Sequence, residues 1–188
     1  MSAHPNLPPA TELPSLSNPD RAKILDLLFE PSPALHSIFL PLTASQSFST
    51  YDHLIAAIGA NLLSLAESSK TELLKELDNV LSSHPRLGEK KVDSAMSRME
   101  QAAMLKASGG AGEDEAKVRE AETLSALNKE YEAAFPGLRY VVFVNGRPRT
   151  VIFEDMKRRI ARGDISEERR EAIKAMCDIA SDRAAKLQ

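Results

Sequence analysis

Three side chains close together in this sequence are not accounted for by apolar packing: His84, Glu100 and Gln101. They lie in the stretch SSHPRLGEKKVDSAMSRMEQAAM, Ser82 to Met104, between two helical patterns. A histidine titrates near neutrality and can give or take a proton there. Pro85 restricts His84 to extended geometry, so the imidazole leaves the end of its helix at a fixed angle. A carboxylate beside an imidazole raises its pKa, which makes Glu100 a candidate partner for His84. Gln101 offers both a donor and an acceptor to a flat polar ligand. The competing account is a solvated histidine at a helix C-terminus, favoured by the dipole, followed by a polar helix edge. On spacing alone, that plainer account is the commoner one.

Arg147 and Arg183 are candidates for anion binding. Arg183 follows Ile179 by four residues and Ala180 by three, at the border of the last helix's apolar face. Its guanidinium could grip a carboxylate with two parallel hydrogen bonds. For both arginines an ordinary surface position is a strong competitor. His4, His36 and His53 have no partner pattern and are read as tail or helix-surface residues. Cys177 sits in an apolar row, as a core residue rather than a nucleophile. No serine occupies a nucleophile elbow. No second histidine stands at ligand spacing from His84, so a metal-dependent hydrolase ranks last. There is no Walker loop, dinucleotide-binding glycine pattern or paired-cysteine metal motif.

The elements that must position these residues read as helices. Asn18-Pro19 opens the first, with Ile24, Leu25 and Leu28 on one face and Pro31 and Pro33 stopping it. A short helix broken by Pro41 follows within Ala34–Leu42. Ser49 starts a stronger one carrying Leu54, Ile55, Ile58, Leu62 and Leu65. Ser69 and Glu72 form a capping box for the next, which ends near Ser83. Met96, Met99, Ala103 and Met104 give the apolar face beside Glu100. SGGAGEDE is a turn or mobile loop. Val118, Ala121, Leu124, Leu127, Tyr131 and Phe135 define one long amphipathic helix, ended by Pro136-Gly137. Tyr140–Val144 has high β propensity, but no second alternating strand follows Asn145-Gly146. It is therefore read as a buried extended segment between helices. Ile152, Met156 and Ile160 mark a further helix ended near Gly163, and Ser166 caps the last one. The expected fold is all-α: a compact single-domain bundle of about seven or eight helices with one buried extended segment. Residues 1 to about 15, rich in proline, are read as a flexible arm preceding a helical domain over 16–188.

The chain has 188 residues, 43% hydrophobic and 27% charged, which fits one globular domain. A net charge of −3 gives no basic field for nucleic acid. No apolar run reaches the roughly 18 residues of a spanning helix, so no membrane partner is expected. The single cysteine excludes an internal disulfide and fits a reducing compartment. The N-terminus lacks the features of a signal peptide, and Gln188 spoils a peroxisomal tripeptide. The expectation is a soluble intracellular protein, cytoplasmic in preference to peroxisomal.

Three pieces together, HPRLG at 84–88, SRMEQ at 97–101 and YVVFVNGR at 140–147, resemble the OHCU decarboxylase family, the decarboxylases of 2-oxo-4-hydroxy-4-carboxy-5-ureidoimidazoline. The likeness runs from LFEPSPAL at 28–35 to IASDRAAKL at 179–187. The specific part is HPRLG combined with S-x-x-E-Q beginning thirteen residues after the histidine. The resemblance implies an all-helical homodimer with neither cofactor nor metal. It implies decarboxylation of OHCU to (S)-allantoin, the last step of urate breakdown. It implies catalytic roles for His84 and Glu100 and substrate-binding roles for Pro85, Ser97, Gln101 and Arg183. The extended segment Val142, Phe143, Val144, Asn145 and Gly146 would meet the substrate through its backbone. No pyridoxal or thiamine sink is required, because the substrate's own carbonyl and imine-like nitrogen can delocalise the electron pair left by CO2. The alternative is a non-enzymatic helical interaction module. The two differ in whether His84, Glu100 and Arg183 converge on one pocket.

Overall fold

The structure is a computed structural model that describes residues 6–88, 96–101 and 113–188, with backbone only for 113–117. The expected loop over SGGAGEDE up to Gly112, the apolar positions Ala103 and Met104, and His4 lie outside the described residues. Among the described residues, seven helices have bounds that can be given: α1 (Asn18–Phe29), α2 (Pro33–Ser45), α3 (Tyr51–Ala66), α4 (Thr71–Leu81), α5 (Glu113–Ala134), α6 (Arg149–Arg162) and α7 (Ile165–Leu187). Residues 96–101 are also helical, and no strand occurs among the described residues. The fold is an all-α bundle.

The last helix is its axis. Ala172, Ile173, Met176, Ala180 and Ala184 are buried along α7, and α1, α3 and α4 all pack on it. The α3–α7 contact is the most extensive, and a small residue permits it. A Cβ at Gly59 would lie 2.9 Å from the Cys177 sulfur. The apolar rows read from sequence supply the core: Leu25, Leu28 and Phe29 on α1, Leu54, Ile58 and Leu62 on α3, Leu77, Val80 and Leu81 on α4. On α5 the row holds only from Leu124 onward through Leu127 and Tyr131 to Phe135, whereas Val118 is exposed. Met99 is exposed as well.

Helix starts differ slightly from expectation. Ser17, not Asn18, caps α1, accepting from the Asp20 N–H at 3.3 Å. Thr50, not Ser49, caps α3, and Asp164, not Ser166, caps α7. The expected Ser69–Glu72 box does not form, since Lys70 holds the N-cap position without a side-chain cap. Where several capping residues stand in tandem, any of them can take the orphan N–H groups. Helix α2 runs through Pro41 instead of breaking there, because Leu35, Phe39 and Thr43 bury one face on both sides of it.

The expected N-terminal arm is corrected for residues 6–15. Leu7, Ala10 and Leu13 are buried, at the spacing of three that suits the 3₁₀ turn Ala10–Ser15. The Leu7 N–H donates to the Leu187 carbonyl at 2.9 Å, and the Tyr51 hydroxyl to the Pro8 carbonyl at 2.9 Å.

The segment 138–144, expected to be extended, is neither helix nor strand and connects α5 to α6, with Leu138, Tyr140 and Val141 buried. Helix α6 holds it in place of a neighbouring strand. Arg159 Nη1 donates to the Val141 carbonyl at 3.1 Å, and its guanidinium lies 4.7 Å over the Tyr140 ring. The Tyr140 hydroxyl donates to Asp155 at 2.6 Å. Arg159 is itself held by the fully buried Glu168, which also accepts from the Tyr131 hydroxyl and from Arg162. Asn145 (φ 42°) and Gly146 (φ 71°) then turn the chain into α6. That turn closes with the Arg147 N–H on the Val144 carbonyl at 2.9 Å.

Candidate active site

Helix α4 delivers His84. It ends at Leu81, and the next residues turn through the Ser83 hydroxyl, which donates to the Val80 carbonyl at 2.7 Å. The HPRLG loop is then stapled to α5 and the segment beyond it. Arg139 donates to the His84 carbonyl at 3.2 Å, and Asn128 to the Leu87 carbonyl at 3.1 Å. Arg86 grips Glu132 with two hydrogen bonds. Gly88 sits at φ +81° with its Cα so close to Leu124 that a Cβ would meet Cδ2 at 2.5 Å. The final glycine of HPRLG is thus favoured by its conformation, and a Cβ there would have to push the end of the Leu124 side chain aside.

His84 itself is buried, with 5% exposed, and its Nε2 has no hydrogen-bond partner among the described residues. This is not the solvated histidine that the plainer account expects. Burial pushes its pKa down to about 4, against the attraction of Glu30 and with the help of Arg183. The ring is therefore neutral at physiological pH.

The helical segment 96–101 brings Ser97, Glu100 and Gln101, spaced three and four residues apart, onto one face. With His84, Pro85 and Leu87 they line a cavity of about 510 Å³. Val142, Phe143, Val144, Asn145 and Gly146 line it too, as do Arg147, Arg149, Ile179, Asp182 and Lys186. The volume falls within the roughly 300–1,000 Å³ typical of small-molecule sites. Among the described residues no group of three or more histidine, cysteine or carboxylate side chains could hold a metal ion.

The OHCU decarboxylase family model matches residues 14–185. The chain belongs to the OHCU decarboxylase family. No curated protein matches it. All of the residues to which the resemblance gave a role except Arg183 are found on the wall of this one cavity.

Arg183 is the exception that needs correction. It is fully buried and is not on the cavity wall. Its Nε donates to Glu100 Oε1 at 2.7 Å, and its Nη2 to Glu100 Oε2 at 2.9 Å, Glu30 Oε1 at 2.6 Å and Ser97 Oγ at 3.0 Å. The carboxylates that it grips are the chain's own, not a ligand's. A buried guanidinium must be paired, and these pairs use it up. The expected Glu100–His84 pair is corrected by the same contacts, since Glu100 is committed to Arg183. The charge of opposite sign acting on His84 is Glu30. Arg147 donates back to the carbonyls of Val144 and Phe143, and so braces the wall that it follows.

Two residues near the site were missed. Glu30 is buried and accepts from Ser97, a residue of the cavity wall, and Arg149 lines the cavity while pairing with Glu120 at 3.5 Å. Glu30 stands inside the LFEPSPAL stretch, but nothing in the spacing separates it from an ordinary helix-end glutamate. Cys177 is half-buried and its thiol is pushed up to about 11, first by burial and then by Asp178. That fits the core role read from its apolar row. His36, read as a helix-surface residue, is held by Asp26 at 2.6 Å.

Proposed function

We propose that this chain is a cofactor-independent carboxy-lyase that converts OHCU to (S)-allantoin in urate catabolism, with His84 as its proton-transfer residue. The observation that carries the reading is a buried imidazole, its Nε2 without a hydrogen-bond partner among the described residues, on a cavity shared with Ser97, Glu100, Gln101 and the 142–146 segment. Gln101 and the peptide groups of Val142–Gly146 hold the ring and ureido amides, and Pro85 packs against one ring face. Glu100, steadied by Arg183, accepts from substrate N–H groups.

The bond between the ring carbon and its carboxylate breaks, CO2 leaves, and the electron pair enters the adjacent carbon–nitrogen double bond. The nitrogen takes one proton from water. Neutral His84 removes the hydroxyl proton as that oxygen becomes a carbonyl. The imidazolium returns the proton to the ureido-bearing carbon from one face, which fixes the (S) configuration. General acid–base help of this kind contributes roughly 10²–10⁴-fold. Positioning of the ring contributes the stereochemistry. The active form is a homodimer, which light scattering behind size exclusion would check.

The test is to mix purified protein with freshly generated OHCU and follow the optical signal of (S)-allantoin against spontaneous racemic decay. Acceleration with a single-enantiomer product is expected, and its loss in His84→Gln with the fold retained. A rate equal to that of buffer alone would remove the reading.

A further inference from the structure

Glu30 is a buried carboxylate with an unusual backbone. It ends α1 at φ 85°, ψ 149°, in a region that non-glycine residues rarely occupy. A side chain held there is strained, and such strain persists only where surrounding contacts impose it. Two such contacts hold Glu30: Ser97 Oγ donates to its Oε1 at 2.6 Å, and Arg183 Nη2 donates to the same atom at 2.6 Å. The cluster of Arg183, Glu30 and Glu100 holds two carboxylates against one guanidinium. Among the described residues the cluster therefore carries one more negative than positive charge.

We propose that Glu30 is a positioning residue of the site, which locks Ser97 and Arg183 and supplies the buried negative charge that an imidazolium at His84 would balance. The inference rests on the decarboxylase reading for its kinetic consequence, but not for its electrostatic one. Burial opposes ionisation of Glu30, yet the Arg183 charge and the Ser97 hydrogen bond outweigh it and hold the carboxyl below its usual range. Among the described residues, the other charged groups at His84 or on its cavity are Arg139 at its carbonyl, Glu100 on the segment 96–101, Asp182 and Lys186 on α7, Glu120 on α5, Arg147 just before α6 and Arg149 at its start. Those of α5, α6 and α7 line the wider cavity. Glu30 and Arg183 are the charges that act on the ring most.

The experiment compares wild type, Glu30→Gln and Glu30→Asp. Glutamine keeps an oxygen for Ser97 and removes the charge, whereas aspartate keeps the charge. NMR titration follows the His84 imidazole, assigned by its absence in His84→Gln. In Glu30→Gln its midpoint falls by about one pH unit or more, the effect of losing a close opposite charge. Glu30→Asp stays nearer to wild type. In the turnover assay Glu30→Gln lowers kcat by about tenfold or more while KM changes less than about threefold. An unmoved imidazole midpoint in a folded Glu30→Gln protein would overturn the proposal, even if kcat fell. If wild type shows no turnover, the decarboxylase reading fails alone, and the titration still decides the role of Glu30.

Discussion

Replacing Arg159 with methionine would separate what holds the protein together from what holds the cavity wall in place. Arg159 is buried, with 3% of its side chain exposed. Its Nε reaches both oxygens of Glu168, at 2.9 and 3.0 Å, and its Nη1 reaches the Val141 carbonyl at 3.1 Å. Methionine keeps most of the stem and none of the donors. Removing one partner of a buried pair costs about 3–5 kcal/mol, because the other charge is left uncompensated. Glu168 keeps Arg162 and the Tyr131 hydroxyl, so the lower end, about 3 kcal/mol, is expected. For a chain of this size that is a fall in Tm of about 6–12 °C. The double variant Arg159→Met/Glu168→Gln removes the stranded charge but keeps an acceptor for Tyr131, and should recover at least half of the loss. It does not restore the tether on Val141. Turnover should therefore stay about tenfold or more below wild type in both variants, since small misplacements of a binding wall are costly. The assays are urea unfolding and the optical assay on the same preparations. Stability of Arg159→Met within about 1 kcal/mol of wild type would refute the buried-pair account. Full recovery of rate in the double variant would refute the tether.

Two further outcomes follow from packing and from titration. Gly59→Ala should destabilise by about 1–3 kcal/mol through the Cys177 contact, and in a Cys177→Ala background the same change should be neutral or favourable, because alanine is the better helix former; equal penalties in both backgrounds would show that the sulfur is not what it meets. His84 has a folded pKa of about 4, depressed by burial from 6.5, so the unfolded chain binds its proton first. The stabilisation from keeping it neutral is complete above pH 6.5 and is lost as pH falls through that window toward 4, up to about 3 kcal/mol. Urea unfolding at pH 7 and pH 4.5 should show a smaller drop in His84→Gln than in wild type, and parallel drops would contradict the buried neutral ring.

Much of the architecture could be read locally. Leu54, Ile58 and Leu62 announce their helix because the apolar period is a property of neighbouring residues, and the structure buries all three. The extended segment at Tyr140 was legible for the same reason, through β propensity with no second strand to pair with. Helix starts were less legible, since tandem residues such as Ser17 and Asn18 compete for the same N–H groups. Asn18 ends up holding the Arg21 guanidinium instead.

The site divides along the same line. His84 could be singled out because Pro85 adjoins it, but its burial depends on a loop stapled to α5 by Arg86, Leu87 and Gly88. Arg183 could be singled out by its place at the border of an apolar face, but its full burial could not. Periodicity says which way a side chain points, and cannot say what waits there. What waits is Glu30, 153 residues away in sequence, and Glu100, 83 away. A guanidinium buried with two carboxylates also has a consequence for substitution. Arg183→Lys offers one compact charge where a planar fork meets Glu100 on two sides and Glu30 on a third. It cannot reproduce that geometry, so Ser97 and Glu100 on the cavity wall would lose their registration even though the charge is conserved.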